Sequence, residues 1–192
     1  MENIFENPYK STLRSQLKSM FSGSSRAIIP IKIPAGSTDI LYTLRISTSE
    51  GDKSSDGKWN DNLQTSYRKI KFLGLPVYES ARGAGILSTL LDDNRPLREE
   101  DAYCNMYLFT SSSQAKAFQD NTKAASQLSY DVDYSSLGTQ SCNGRIPARG
   151  MKTVYIGVEN ERVRYTNYIW FEAVASVPCT EYFNETFTLS AQ

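Results

Sequence analysis

The feature that most constrains this chain is a period of two in its apolar residues. Ile29, Ile31 and Ile33 alternate with other residues in one run, and Val154 and Ile156 begin another. Because successive side chains of a β-strand point to opposite faces, such runs predict strands with one apolar face each. The predicted strands cover residues 28–33, 40–46, 67–77, 103–110, 128–134, 154–158, 165–177 and 182–189.

Short polar spacers separate these runs, and helical segments do not alternate regularly with them. The pattern therefore disfavours a doubly wound parallel sheet. It predicts a mainly β protein, an antiparallel β-sandwich of jelly-roll or Greek-key type with about eight strands. Residues 28–33 and 40–46 are expected to be successive antiparallel strands. Turn formers crowd residues 135–152, where Asn143-Gly144 suggests a tight type I′ turn.

The N-terminal residues favour an amphipathic helix instead. Asn7 is a suitable N-cap and Pro8 suits the first helical position. One helical face would carry Tyr9, Leu13, Leu17, Met20 and Phe21, and the opposite face Lys10, Arg14 and Lys18. We expect residues 1–25 to pack on a single sandwich domain of residues 26–192. The basic face leaves a second possibility, binding to an anionic membrane surface. Shorter helices are predicted over residues 84–92 and from Ser112.

Composition excludes several classes of function. The chain has 192 residues and no histidine, which removes the usual general base near neutral pH and the imidazole ligands of zinc sites. Lys and Arg number 21, as do Asp and Glu, so charge gives no case for nucleic-acid binding. No apolar stretch is long enough for a transmembrane helix. We therefore predict no cofactor, no metal and no histidine-based catalysis.

The three cysteines, Cys104, Cys142 and Cys179, have no metal-ligand spacing. An odd number allows one disulfide with a free thiol, or three free thiols. Cys142 lies near Arg145, which could lower a thiol pKa but cannot act as a base. A buried or disulfide-bonded Cys142 is the preferred interpretation.

Acidic residues leave open a hydrolase that uses two carboxylates, which needs no histidine. The candidates are Asp92, Asp93, Glu99, Glu100 and Asp101, or else Asp131 and Asp133. Local ion pairing is the preferred interpretation of the first group. The polar residues 47–62 lack the spacing of a calcium-binding loop and are expected to form a solvated turn.

Aromatic residues and arginines cluster near the start of the most strand-like run. The candidate binding residues are Tyr165, Tyr168, Trp170, Arg162 and Arg164. Exposed rings beside arginines could stack on a sugar or a peptide. The alternative is packing, because Ile169 and Phe171 make the other face of this strand apolar and suggest a central strand covered on both sides.

Two segments of the second half, at residues 155–160 and 168–174, resemble the paired "yyigv.N" and "v.veV" strands of bacterial exported β-sandwich modules, similar to pre-peptidase C-terminal and GOLD-like domains. The likeness covers roughly residues 102–177 and implies export and a non-catalytic role. The chain is otherwise similar to uncharacterised bacterial exported proteins. We expect export if Met1 replaces a removed signal, and a cytoplasmic protein otherwise.

Three functions remain after these exclusions. The first is a non-enzymatic binding or scaffolding module, with a glycan or a protein as its ligand. The second is the carboxylate-dependent hydrolase. The third is a structural subunit of a larger assembly that docks through its N-terminal helix.

Overall fold

The period-two runs become strands of two antiparallel sheets in the computed structural model, which describes residues 2–48 and 102–178. In chain order the elements are β1 (Glu2–Asn3), β2 (Tyr9–Leu13), α1 (Gln16–Ser19), β3 (Arg26–Lys32), β4 (Asp39–Ser47), β5 (Cys104–Phe109), α2 (Ser112–Gln119), a 3₁₀ turn (Ala125–Gln127), β6 (Asp131–Thr139), β7 (Ser141–Pro147), β8 (Thr153–Glu159) and β9 (Asn167–Ser176).

The two sheets share one apolar core. One sheet has the order β1-β9-β4-β7, with β2 also paired to β9, and the other has the order β3-β8-β5-β6. Ile29 and Ile156 of the second sheet belong to the same buried cluster as Leu44 and Phe171 of the first. The predicted antiparallel β-sandwich is confirmed. However, β3 and β4 are successive in sequence but lie in different sheets, because β3 pairs with β8 and β4 pairs with β7 and β9.

A second apolar cluster lies on the outer face of the four-stranded sheet, where α2 packs against β3 and β8. Phe118 of α2 contacts Phe109 of β5, with ring centroids 5.3 Å apart. Gly157 of β8 leaves the space for these rings, because a Cβ there would lie 2.7 Å from Phe109 and 2.9 Å from Phe118. The helix predicted from Ser112 is thus confirmed, and its apolar side covers this sheet.

The predicted N-terminal helix is wrong for most of its length. Residues 9–13 form β2, which pairs with β9 from Tyr9 opposite Phe171 to Leu13 opposite Asn167. Only α1, a single turn, is helical. Leu13 is buried in the core, so this segment belongs to the sandwich instead of lying on it. The four-residue spacing of Tyr9 and Leu13 fits both a helix and a strand. The strand forms because its backbone can hydrogen-bond to the edge of β9.

Residues 135–152 also differ from the prediction, since most of them form β6 and β7. Asn143 and Gly144 lie within β7 and not in a turn. Gly144 is required by packing, because a Cβ there would lie 2.8 Å from the Tyr42 hydroxyl. The strands predicted at 67–77 and 182–189 and the helix at 84–92 lie outside the described residues.

The described helices are short. No helix within residues 2–48 and 102–178 is long and apolar enough to cross a membrane.

Candidate docking surface

Two chain connections meet at one end of the sandwich. Residues 14–25 join β2 to β3, and residues 160–166 join β8 to β9. They lie side by side because β2 ends opposite the start of β9. The backbone N–H groups of Gln16 and Leu17 donate to the carbonyls of Arg162 and Val163, at 3.0 and 3.3 Å. These bonds join the two connections into one surface.

Asn160 is the main link between the two connections. It is fully buried, and its Nδ2 donates to the carbonyls of Leu13, Arg14 and Tyr165 at 3.1, 3.2 and 2.9 Å. Its Oδ1 accepts from the Arg162 backbone N–H. One amide side chain therefore satisfies backbone groups of both connections, which would otherwise be costly to bury.

Arg162 supports the second connection from beneath. It is fully buried, and its guanidinium donates to Asn167 Oδ1. The guanidinium carbon lies 4.6 Å from the ring centroid of Tyr165 and 5.9 Å from that of Tyr103. Cation–π contacts are stronger when the cation is desolvated. Arg162 thus holds the ring of Tyr165 in place from the protein side.

Cys104 lies below this arrangement and accepts a hydrogen bond from Asn167 Nδ2 at 3.2 Å. Burial raises the pKa of its thiol to about 12, although the Asn167 bond and Arg162 act in the opposite direction. Burial also raises the pKa of the Cys142 thiol to about 12. Both cysteines are free and buried, so they are inert core side chains at neutral pH. The prediction of a buried or disulfide-bonded Cys142 is confirmed in its first form, because Cys142 is buried and free.

The outward side of the two connections is apolar. Exposed fractions are 50% for Leu17, 80% for Met20, 91% for Phe21, 46% for Val163 and 43% for Tyr165. These five residues are called the apolar tip below. Across residues 2–48 and 102–178, the other exposed large hydrophobic residues are Val132 and Leu137 of β6. Scattered apolar residues are ordinary on a protein surface, whereas a cluster marks an interaction site.

Short local contacts give the first connection its shape. Ser15 caps α1 by accepting from the Lys18 backbone N–H, and the Arg14 N–H donates to the Ser24 carbonyl at 2.8 Å. Gly23 has φ of +74°, a conformation that suits glycine. The chain therefore turns back directly after Phe21, which leaves Met20 and Phe21 at the outermost part of the connection.

The charge of the two connections is positive. Arg14, Lys18 and Arg164 are exposed, whereas Glu161 is the only acid in residues 14–25 and 160–166. The whole chain has a formal charge of zero, whereas the two connections together carry a net positive charge.

A second polar contact lies at the same end of the four-stranded sheet. Arg26 forms a buried ion pair with Glu159 at 2.7 Å and donates to the Phe118 and Lys123 carbonyls. Tyr107 donates to Glu159 Oε2 at 3.2 Å, and burial raises the pKa of Tyr107. This cluster ties the end of α2 to β3 and β8, which is a structural role.

The structure separates the five predicted binding residues. Arg164 and Tyr165 lie at the tip, and Arg162 lies buried beneath it. Tyr168 is half-buried on β9, and Trp170 is 8% exposed, with its ring 5.1 Å from the Arg45 guanidinium carbon. Trp170 therefore provides no solvent-facing ring, and the burial of β9 on both sides agrees with the packing alternative.

Sequence reasoning missed two parts of this surface. The sequence predicts Leu17, Met20 and Phe21 on a helical face that packs on the domain, with binding of the basic helix to an anionic membrane as the alternative, whereas the structure exposes them on a connection. Asn160 is the asparagine of the strand that resembles exported sandwich modules, and no local pattern predicts its hydrogen bonds.

The carboxylates give the hydrolase little support among the described residues. Asp131 and Asp133 lie on β6, and Asp131 Oδ1 accepts from the Asp133 backbone N–H. The other five candidate acids, residues 92–101, lie outside the described part of the chain. Within that part, no group of three or more Cys, Asp or Glu residues is arranged to hold a metal ion.

Comparison with protein-family models, with curated proteins and with solved structures found no match.

Proposed function

We propose that this chain is a non-enzymatic binding or scaffolding module that contacts its target through the apolar tip. The observation that carries the proposal is the concentration of exposed apolar side chains on two joined connections. Burying a side chain such as Phe21 contributes about 1.5–3 kcal/mol, so the tip can supply useful binding energy.

The support beneath the tip strengthens this proposal. Asn160 and Arg162 are fully buried polar residues whose hydrogen bonds hold the backbone of both connections. A surface held in place before binding loses less conformational entropy when it binds. The tip is thus a preformed surface that can bind a target with little loss of conformational entropy.

A glycan is the less favoured ligand. Sugar binding combines ring stacking with hydrogen bonds to hydroxyl groups, and among the five tip side chains Tyr165 alone carries a hydrogen-bonding group. Leu17, Met20 and Phe21 favour an apolar target. Export of the module, which its resemblance to exported sandwiches implies, remains part of this proposal.

Site-specific photo-crosslinking in the cells that make the protein tests the proposal. Benzoylphenylalanine replaces Phe21 in one variant and Val132, an exposed apolar residue of β6, in a matched control. We expect a discrete adduct from position 21, absent from position 132, and lost when Met20→Ser is added. Equal labelling at both positions, or no adduct at position 21, would contradict a docking role for the tip.

Deletion of residues 1–25 is not an adequate test of docking. It removes β2, whose Leu13 belongs to the core, so loss of binding would follow from loss of folding. Substitutions at exposed tip residues avoid this problem.

A further inference from the structure

We propose that the target of the apolar tip is an anionic phospholipid bilayer, into whose interface Met20 and Phe21 insert. This inference rests on the proposed function, because it needs the tip to be a docking surface. Three observations, of shape, charge and area, favour a lipid surface over a protein partner.

The first observation is the position of the apolar side chains. Met20 and Phe21 are the most exposed large hydrophobic residues described, at 80% and 91%, and they lie where the first connection turns back. Apolar side chains exposed on a turn can enter the interfacial region of a bilayer while the sheets stay outside the lipid. The four-residue helix α1 presents Leu17 beside them.

The second observation is charge complementarity. Residues 14–25 contain Arg14 and Lys18 and no acid, and Arg164 is exposed on the adjoining connection. Cations that flank inserted apolar residues meet the negative headgroups of an anionic leaflet. Long basic side chains can also extend toward the headgroups while their methylene groups stay near apolar surface.

The third observation is the size of the surface. The tip consists of five side chains that are 43–91% exposed, which makes an apolar patch of roughly a few hundred Å². A stable protein–protein interface buries about 800 Å² per partner. The tip alone is small for such an interface, whereas a bilayer has no minimum contact area.

Co-sedimentation of the full chain with vesicles tests the inference. One set of vesicles contains phosphatidylcholine alone and the other contains phosphatidylcholine with 30% phosphatidylglycerol. We expect binding to the anionic set that weakens as salt is raised, because the flanking charges are exposed and screened. Met20→Ser and Phe21→Ser should each lower the partition coefficient about tenfold.

Matched variants separate insertion of the tip from non-specific adsorption to the vesicles. Val132→Ser with Leu137→Ser removes the exposed apolar residues of β6 and should leave vesicle binding unchanged. Lys18→Gln should weaken binding to anionic vesicles about fivefold and reduce the salt dependence. Circular dichroism of each variant confirms that it remains folded.

A spectroscopic signal reports insertion directly. Phe21→Trp adds a tryptophan at the tip, in a background where Trp59, which lies outside the described residues, is replaced by Phe and Trp170 is buried. We expect its emission to shift to shorter wavelength on anionic vesicles and to be quenched by brominated lipid. Absence of vesicle binding, or equal loss in the tip and β6 variants, would overturn the inference.

The two proposals fail differently. If the Phe21 crosslink is to a protein, or to a second copy of this chain by mass spectrometry, and vesicles do not bind, then docking stands and the lipid target is wrong. If the crosslink is absent and vesicles do not bind, both are wrong.

Discussion

Asn160→Ala is the most direct test of how the two connections of the candidate docking surface are held together. The substitution removes the Nδ2 donor that reaches the Leu13, Arg14 and Tyr165 carbonyls, and the Oδ1 that accepts from the Arg162 N–H. A hydrogen bond contributes about 1 kcal/mol net, and a buried group left unsatisfied costs about 1–3 kcal/mol. Four hydrogen bonds are lost, but the Arg14 and Tyr165 carbonyls lie in partly buried bonds and can be partly satisfied by water. We therefore expect the free energy of unfolding to fall by about 3 kcal/mol, less than the full sum.

Urea unfolding followed by intrinsic fluorescence measures this change. Asn105→Ala is the control, because Asn105 is a buried amide outside the two connections: its Oδ1 accepts from the Gly138 N–H at 2.8 Å and its side chain hydrogen-bonds to Tyr107. The control should lose about 2 kcal/mol and leave the exchange of the Gln16 and Leu17 amides unchanged. Hydrogen exchange gives an independent local readout, since the Gln16 and Leu17 amides should exchange faster in Asn160→Ala. A loss below about 1 kcal/mol with unchanged exchange would refute the role assigned to Asn160.

Asn160→Asp sharpens the same test by changing charge with little change in shape. An ionised carboxylate would face three carbonyl oxygens, so the folded state should favour the protonated form and raise the pKa of Asp at this position. The variant should then be less stable than the parent at pH 7 and recover stability as pH falls. A stability difference that does not depend on pH between 7 and 4 would contradict this geometry.

Three further predictions follow from the buried contacts. Gly157→Ala places a Cβ against the Phe109 and Phe118 rings, and should lower the free energy of unfolding by about 2 kcal/mol. Calorimetry should then show a Tm lower by about 5 °C. An unchanged Tm would show that α2 can move away without cost. Glu159→Gln leaves Arg26 charged and buried without its carboxylate, and should lower unfolding free energy by about 3 kcal/mol in urea titration; a loss below 1 kcal/mol would mean that solvent reaches the pair. Burial raises the pKa of the Cys142 thiol from 9.0 to about 12, so the folded state keeps a proton that the unfolded state loses between these pH values, and the free energy of unfolding falls as pH rises from 9 to 12. Cys142→Ala should therefore make the fall of the urea midpoint over this range shallower. An unchanged slope would count against the raised pKa.

Much of the fold could be predicted because its signal is local. Alternation in β3, β4 and β8 depends only on the pleat of a strand and on one buried face, so sequence is enough to place them. The two-sided burial of β9 follows in the same way from apolar residues on both faces.

The candidate site was less predictable because it depends on contacts between residues that are distant in sequence. The local sequence indicates Arg164 and Tyr165 as candidates, but the burial of Arg162 depends on contacts with residues of other elements. Asn160 binds carbonyls about 146 residues away in sequence, a contact that no local pattern reveals.

The sequence by itself determined that this chain forms strands with one apolar face, and that histidine-based chemistry is closed to it. The tertiary structure decided that residues 9–13 form β2, because β9 offers an edge whose hydrogen bonds outweigh a weak helical preference. It also decided that Met20 and Phe21 remain exposed, since β2 replaces the helix that would have turned them inward. The exposure of a side chain depends on the elements packed around it, and for that reason the candidate docking surface is visible only in the folded protein.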